Sequence, residues 1–187
     1  LPKDRVMNMG FLDEQRLLVF TGRGELVVVN LPNNEETTRW EMGKQSPTCF
    51  AVSPKSDRVV AVIGQEIVEW SLTSKRDRLR KNVGVGGADQ VLYSQDSSRI
   101  YFTTRGTIRS WDFMDPDAEF ETFASIPRPC EALRADTDGV LALTEGGYLS
   151  RYSYSGELLS RLHLGNAYLF DLAENLALLT SGGSMTI

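Results

Sequence analysis

The 187 residues are 41% hydrophobic and 24% charged, enough apolar material for one globular core. A net charge of −5 argues against whole-surface binding to nucleic acid. No apolar run is long enough for a membrane span. One histidine, and two cysteines outside any C-x-x-C spacing, leave no His-rich or thiolate metal site to expect.

In chain order, Val6 to Phe11 reads as a first strand and Asp13-Glu14-Gln15 as a polar turn. Leu17 to Thr21 and Leu26 to Leu31 read as two more strands, joined through Gly22 and Gly24. The Leu26–Leu31 run is apolar throughout, as in a strand covered on both faces. Pro32 to Glu36 reads as a loop before a fourth strand around Trp40. The same order then returns. Second strands open at Arg16, Arg58, Arg99, Gly139 and Asn175, about 40 residues apart, and third strands end at Asn30, Trp70, Trp111 and Tyr152. Polar turns (Ser53-Pro54 to Asp57, Ser94 to Ser98, Asp136 to Asp138) precede the later second strands, and Asp in such turns hydrogen-bonds its own backbone.

Four short strands per unit at this period describe a propeller blade. A blade cannot bury both faces of its small sheet alone, so stacked neighbours cover each other and leave only short edges. The expected fold is therefore all-β: a β-propeller of four-stranded antiparallel blades. The blades fall at about 6–43, 48–83, 90–124 and 130–165, with a partial one at 168–187, giving an incomplete ring in this chain. A fragment of a larger propeller, six to eight blades in full by the usual range, is expected.

The turn before the second strand, the Gly turn after it and a third strand closing on Trp111-Asp112 resemble the WD40 repeat. The repeats are divergent: Trp70-Ser71 and Tyr152-Ser153 replace Trp-Asp, and no Gly-His opens a copy, since His163 lies in a fourth strand. In propellers of this kind partners bind at the loops joining second to third strands and at the crossings between blades. The resemblance thus implies protein contacts through Arg23, Arg105 and Glu145, and through Lys44, Gln45 and Arg128. It implies a non-enzymatic interaction scaffold in a multi-subunit assembly, with the remainder of the propeller supplied by the same or another chain.

Charge adds a second candidate. Lys75, Arg76, Arg78, Arg80 and Lys81 crowd one connection and strand, while Asp112, Asp115, Asp117, Glu119 and Glu121 occupy the same place one blade later. The basic run reads either as docking for an acidic partner or as a solvated face balanced by its neighbour. Tyr148, Tyr152 and Tyr154 alternate and share a face that either grips a partner or packs between blades. Cys49 and Cys130 open first strands two blades apart, too far to pair, and two free thiols suit a reducing, cytoplasmic or nuclear setting. The opening Leu1-Pro2-Lys3-Asp4 shows no signal-peptide pattern. No G-x-S-x-G elbow or Walker loop occurs, and Gly84–Gly87 lacks the Lys and helix of a phosphate cradle, so no catalytic residue and no cofactor is expected. The alternative is part of an enzyme or ligand-binding propeller with its site at the central channel.

Overall fold

A computed structural model describes residues 5–42, 45–55, 57–74, 76–84, 86–115, 117–165, 168–173, 176–181 and 184–186. Every regular element among them is a strand. The first sheet is a meander of β1 (Val6–Phe11), β2 (Arg16–Thr21), β3 (Glu25–Asn30) and β4 (Glu35–Glu41). The second holds β5 (Cys49–Val52), β6 (Arg58–Ile63), β7 (Glu66–Ser71) and β8 (Arg76–Asn82). The third holds β9 (Val91–Tyr93), β10 (Arg99–Thr104), β11 (Thr107–Asp112) and β12 (Glu121–Ser125). The fourth holds β13 (Cys130–Ala135), β14 (Gly139–Thr144), β15 (Tyr148–Ser153) and β16 (Leu158–His163). A three-stranded sheet of β17 (Tyr168–Ala173), β18 (Leu176–Ser181) and β19 (Ser184–Thr186) follows. No helix among the described residues is long and apolar enough to cross a membrane.

Register corrects one sequence alignment. Trp70 pairs with Val59, Trp111 with Ile100 and Tyr152 with Val140, each the second residue of its partner strand. The first-sheet residue in that place is Val29, which pairs with Leu17, and not Asn30, which pairs with Arg16. Leu26–Leu31 is apolar at nearly every position, so its period could not fix the register to one residue. A second difference is local. Glu35 and Glu36, expected in a loop, already pair with Asn30 and Val29. The Asn33 side chain accepts from the Glu35 amide at 3.2 Å and Asn34 takes φ 55°, so a tight turn closes the hairpin early.

The chain divides into two compact units, Leu1–Val91 and Leu92–Ile187. In the first, one core joins the first two sheets: Leu12, Leu18, Phe20, Leu26, Val28 and Met42 pack with Val59, Ala61, Val68 and Trp70. Phe20 and Phe50 rings meet at 4.7 Å, and a Cβ on Gly10 would lie 2.9 Å from the Phe50 ring. Each buried large side chain here contributes about 1.5–3 kcal/mol by leaving water. The other face of the first sheet carries Leu17, Val19, Val27 and Val29.

In the second unit aromatic residues seal the third sheet to the fourth. Tyr101 meets Phe123 at 4.8 Å, Phe123 meets Tyr152 at 6.4 Å, and the Tyr152 hydroxyl donates to the Ser125 carbonyl at 3.3 Å. Tyr152 and Tyr154 thus pack between sheets, the second of the two roles open to that face. Trp111, 1% exposed, lies on the opposite face of its sheet against Phe120. Neither Cys49 nor Cys130 forms a disulfide, both are buried, and burial pushes the Cys49 thiol up to about 12.

Candidate protein-binding interface

In the second unit the three residues expected to meet a partner share one edge. Arg105 and Gly106 form the β10–β11 turn with φ 28° and 84°, the paired left-handed conformation that suits a two-residue hairpin. The Ile126 amide donates to the Gly106 carbonyl at 2.8 Å, which ties the crossing between sheets to that turn. Three residues on, the Glu145 amide donates to the Pro129 carbonyl at 2.9 Å and ties the same crossing to the β14–β15 turn. Arg105, Arg128 and Glu145 are all exposed along this bracketed edge. The Arg128 guanidinium lies over the Tyr148 ring at 5.3 Å, and Tyr148 in turn stacks on His163 at 4.5 Å. That stack was not read from sequence; its only signal was Tyr148 alternating with Tyr152.

The first unit repeats the plan. Arg23 sits exposed between Gly22 and Gly24 in the β2–β3 turn. The Met42 amide donates to the Gly24 carbonyl at 2.8 Å, and the Ser46 hydroxyl reaches the Thr21 carbonyl at 3.4 Å. Gln45 is exposed in the same crossing, with its Oε1 3.0 Å from where a Cβ on Gly64 would be, so it borders the β6–β7 turn. Lys44 lies outside the described residues.

The basic run is less open than its sequence suggests. Arg80 reaches across to Glu66 at 2.6 Å, which partly neutralises it, and Lys81 pairs in register with Ile67. Arg76 and Arg78 are placed on β8 by their backbone, and Lys75 lies outside the described residues. Among the described residues no three His, Cys, Asp or Glu side chains gather in a way that holds a metal ion.

At the other end of the second unit, Asp96 organises the β9–β10 turn. Its carboxylate accepts from the Ser94 hydroxyl at 2.6 Å, the Ser98 amide at 3.0 Å and the Ser98 hydroxyl at 2.8 Å. These bonds, the Ser94 hydroxyl first, hold its carboxyl down at about 2. A depressed carboxyl stabilises the fold above its ordinary value near 3.8 and loses that contribution as pH falls towards 2. Thermal melts should therefore show wild type above Asp96→Asn at neutral pH, with the gap narrowing below pH 4 and closing near pH 2. A gap independent of pH would show that the charge is not what stabilises the turn.

No family model matches the chain, and no curated protein matches it by sequence. Among solved structures it is similar to the β-propeller domain of Cps50 (Swd1) from Myceliophteria thermophila, with a TM-score of 0.82 and 13% identity. The match covers 97% of this chain and 64% of that one, so the chain spans about two thirds of the length of the propeller domain it resembles. The fold of this chain is that of a β-propeller, built of the four-stranded antiparallel blades its Trp-Asp-like repeats imply.

Proposed function

We propose that this chain is one propeller segment serving as a non-enzymatic protein-interaction platform in a multi-subunit assembly, with its partners held along the turn-and-crossing edges. The observation that carries this reading is the edge formed by Arg105, Arg128 and Glu145. Its crossing is hydrogen-bonded to a turn on either side, so three exposed charged side chains are displayed on backbone already fixed. Little ordering entropy then remains to be lost on binding, and Arg is a frequent anchor at interfaces. Arg23 and Gln45 offer the same arrangement on the first unit, and Arg76 and Arg78 on β8 would suit an acidic segment.

A second observation concerns the outer face of the first blade. Met7, Met9 and Phe11 on β1 are 45%, 62% and 70% exposed, at the border of a face whose Val19 and Val29 are already buried. A contiguous apolar patch of this kind is usually covered. We infer that a further blade, from this or another chain, covers it.

The experiment is affinity purification of the tagged chain with and without the double change Arg105→Glu and Arg128→Glu, read by quantitative mass spectrometry. Partner recovery should fall about tenfold or more, the loss expected of a charged anchor reversed at an interface. Circular dichroism and Tm should stay at the wild-type values, because neither side chain is buried. Unchanged recovery with an intact fold would refute this edge as the binding surface.

A further inference from the structure

A cavity of about 390 Å³ opens in the second unit, at the end away from the Arg105 edge, lined by Ser94, Gln95, Asp96, Arg99, Tyr101 and Tyr154 among others. Its two tyrosines come from different blades and their rings meet at 6.3 Å. Tyr154 is held in place: its hydroxyl donates to the Asp136 carbonyl at 2.5 Å, and the Gln95 backbone hydrogen-bonds it from the next blade. Tyr101 differs. It is 1% exposed and lines the cavity, yet among the described residues no hydrogen bond meets its hydroxyl. Its hydroxyl opens to the cavity, so whatever occupies the cavity supplies its hydrogen bond.

The surrounding field is negative. The connections at this end carry Asp96, Asp115, Asp117, Glu119, Asp136, Asp138 and Glu157, and no Lys or Arg lies in them. Of the strand arginines at this end, Arg109 donates to the Phe120 carbonyl at 3.1 Å and Arg134 to the Leu133 carbonyl at 3.0 Å, while Arg99 and Arg151 face carboxylates. Arg151 binds Asp136 at 2.6 Å and Asp138 at 3.1 Å, so two carboxylates share one cation. Arg99 extends towards Glu121 at 3.8 Å, and its backbone register partner is Asp112. The carboxylate of Asp96 stays ionised down to about pH 2.

We propose that this cavity receives the cationic side chain of a basic peptide, an arginine or a lysine, which Tyr101 meets with its hydroxyl and Asp96 with its charge. Desolvated aromatic faces beside a fixed carboxylate suit a cation on an apolar stem, since the stem replaces water against the rings and the head keeps a charged partner. The proposal extends the protein-binding reading to a second surface, and it stands or falls apart from the Arg105 edge.

The test titrates the ¹⁵N-labelled full chain with an acetylated, amidated Gly-Ser peptide carrying one central arginine. Matched peptides carry lysine, citrulline or glutamate instead. Saturable shifts are expected at the amides of residues 94–101 and 154 with arginine and lysine, and none with citrulline. Asp96→Asn should weaken the arginine peptide about tenfold, as loss of a charge-assisted contact implies. Tyr101→Phe removes one oxygen without changing the packing, and should weaken it severalfold while leaving Tm in place. The Arg105→Glu, Arg128→Glu protein should respond like wild type, which separates this site from the edge. Equal response to citrulline, no saturable shift, or no effect of Tyr101→Phe would overturn the proposal. So would a stronger response to the glutamate peptide, which would make Arg99 the anchor.

Discussion

Replacing Arg58 with alanine is expected to cost the fold about 3–5 kcal/mol, the penalty for removing one partner of a buried ion pair. Arg58 opens β6 and Glu69 sits in the middle of β7. The guanidinium Nη1 lies 3.4 Å from Glu69 Oε1, with side-chain exposures of 11% and 0%. Nothing about β7 favours a carboxylate there: Ile67, Val68 and Trp70 around it are all buried. Arg58 also approaches Asp57 at 3.4 Å, and Asp57 accepts from the Ser53 hydroxyl at 2.8 Å, so the pair is anchored to the turn before β6. For a chain of this size each kcal/mol moves Tm by about 2–4 °C. Differential scanning calorimetry should therefore place Arg58→Ala well below wild type, by about 6–20 °C.

The double change Arg58→Met with Glu69→Leu decides why. It removes both charges and keeps much of the volume, so it should recover most of the loss. If the single change is as mild as a surface substitution, within about 0.5 kcal/mol, then the guanidinium is not what makes a buried Glu69 tolerable. If the double change is as costly as the single one, shape and not charge is at stake.

The same pair shows where sequence reading stops. Glu69 is one of two acids in β7, and nothing local marks it as the buried one, because its partner lies in another strand. The blades themselves were legible because their signals are local: alternating apolar runs, glycine turns and an aromatic residue closing the third strand. Trp70, Trp111 and Tyr152 could be aligned by eye because each is a large ring at a strand end. The first blade has Val29 there, one aliphatic residue among several, and the alignment slipped to Asn30 for want of a marker. The Arg105 edge was legible for the same reason as the blades, since turns announce themselves. That the 126–129 crossing brings Arg128 beside Glu145 required the hydrogen bonds to Gly106 and Pro129. The cavity at Tyr101 was not legible, because Tyr101 and Tyr154 belong to different blades and meet only when the sheets stack.

Gly139 gives the second large effect, and it runs against the repeat. Arginine opens the second strand in the first three blades, at Arg16, Arg58 and Arg99, so writing arginine at position 139 restores the internal consensus. Substitution towards a consensus is commonly stabilising. Here it is expected to destabilise by about 3 kcal/mol or more, because the Cβ has nowhere to go. Built on this backbone, a Cβ would lie 1.9 Å from the Tyr152 carbonyl oxygen and 3.2 Å from the Ser153 Cα. Both are backbone atoms of β15, which pairs with β14 directly through Gly139 and Ser153. No rotamer relieves that overlap; the strands must part, and Tyr152 must leave its seat against Phe123. The turn is also fixed from behind, since the Gly139 amide donates to Asp136 Oδ1 at 2.9 Å.

Alanine isolates the cause. Gly139→Ala carries the clash without a long side chain, and the φ of Gly139 is not among the left-handed ones. Gly84→Ala is the converse: φ is 90°, and no atom lies within 4 Å of its Cβ position. Gly84→Ala should cost about 1–3 kcal/mol through backbone strain alone. Urea melts should rank Gly139→Arg and Gly139→Ala together, both below Gly84→Ala and wild type. A Gly139→Ala protein as stable as wild type would mean that the β14–β15 pair opens freely at its end, and that the close approach of the two backbones does not hold the fourth blade in register.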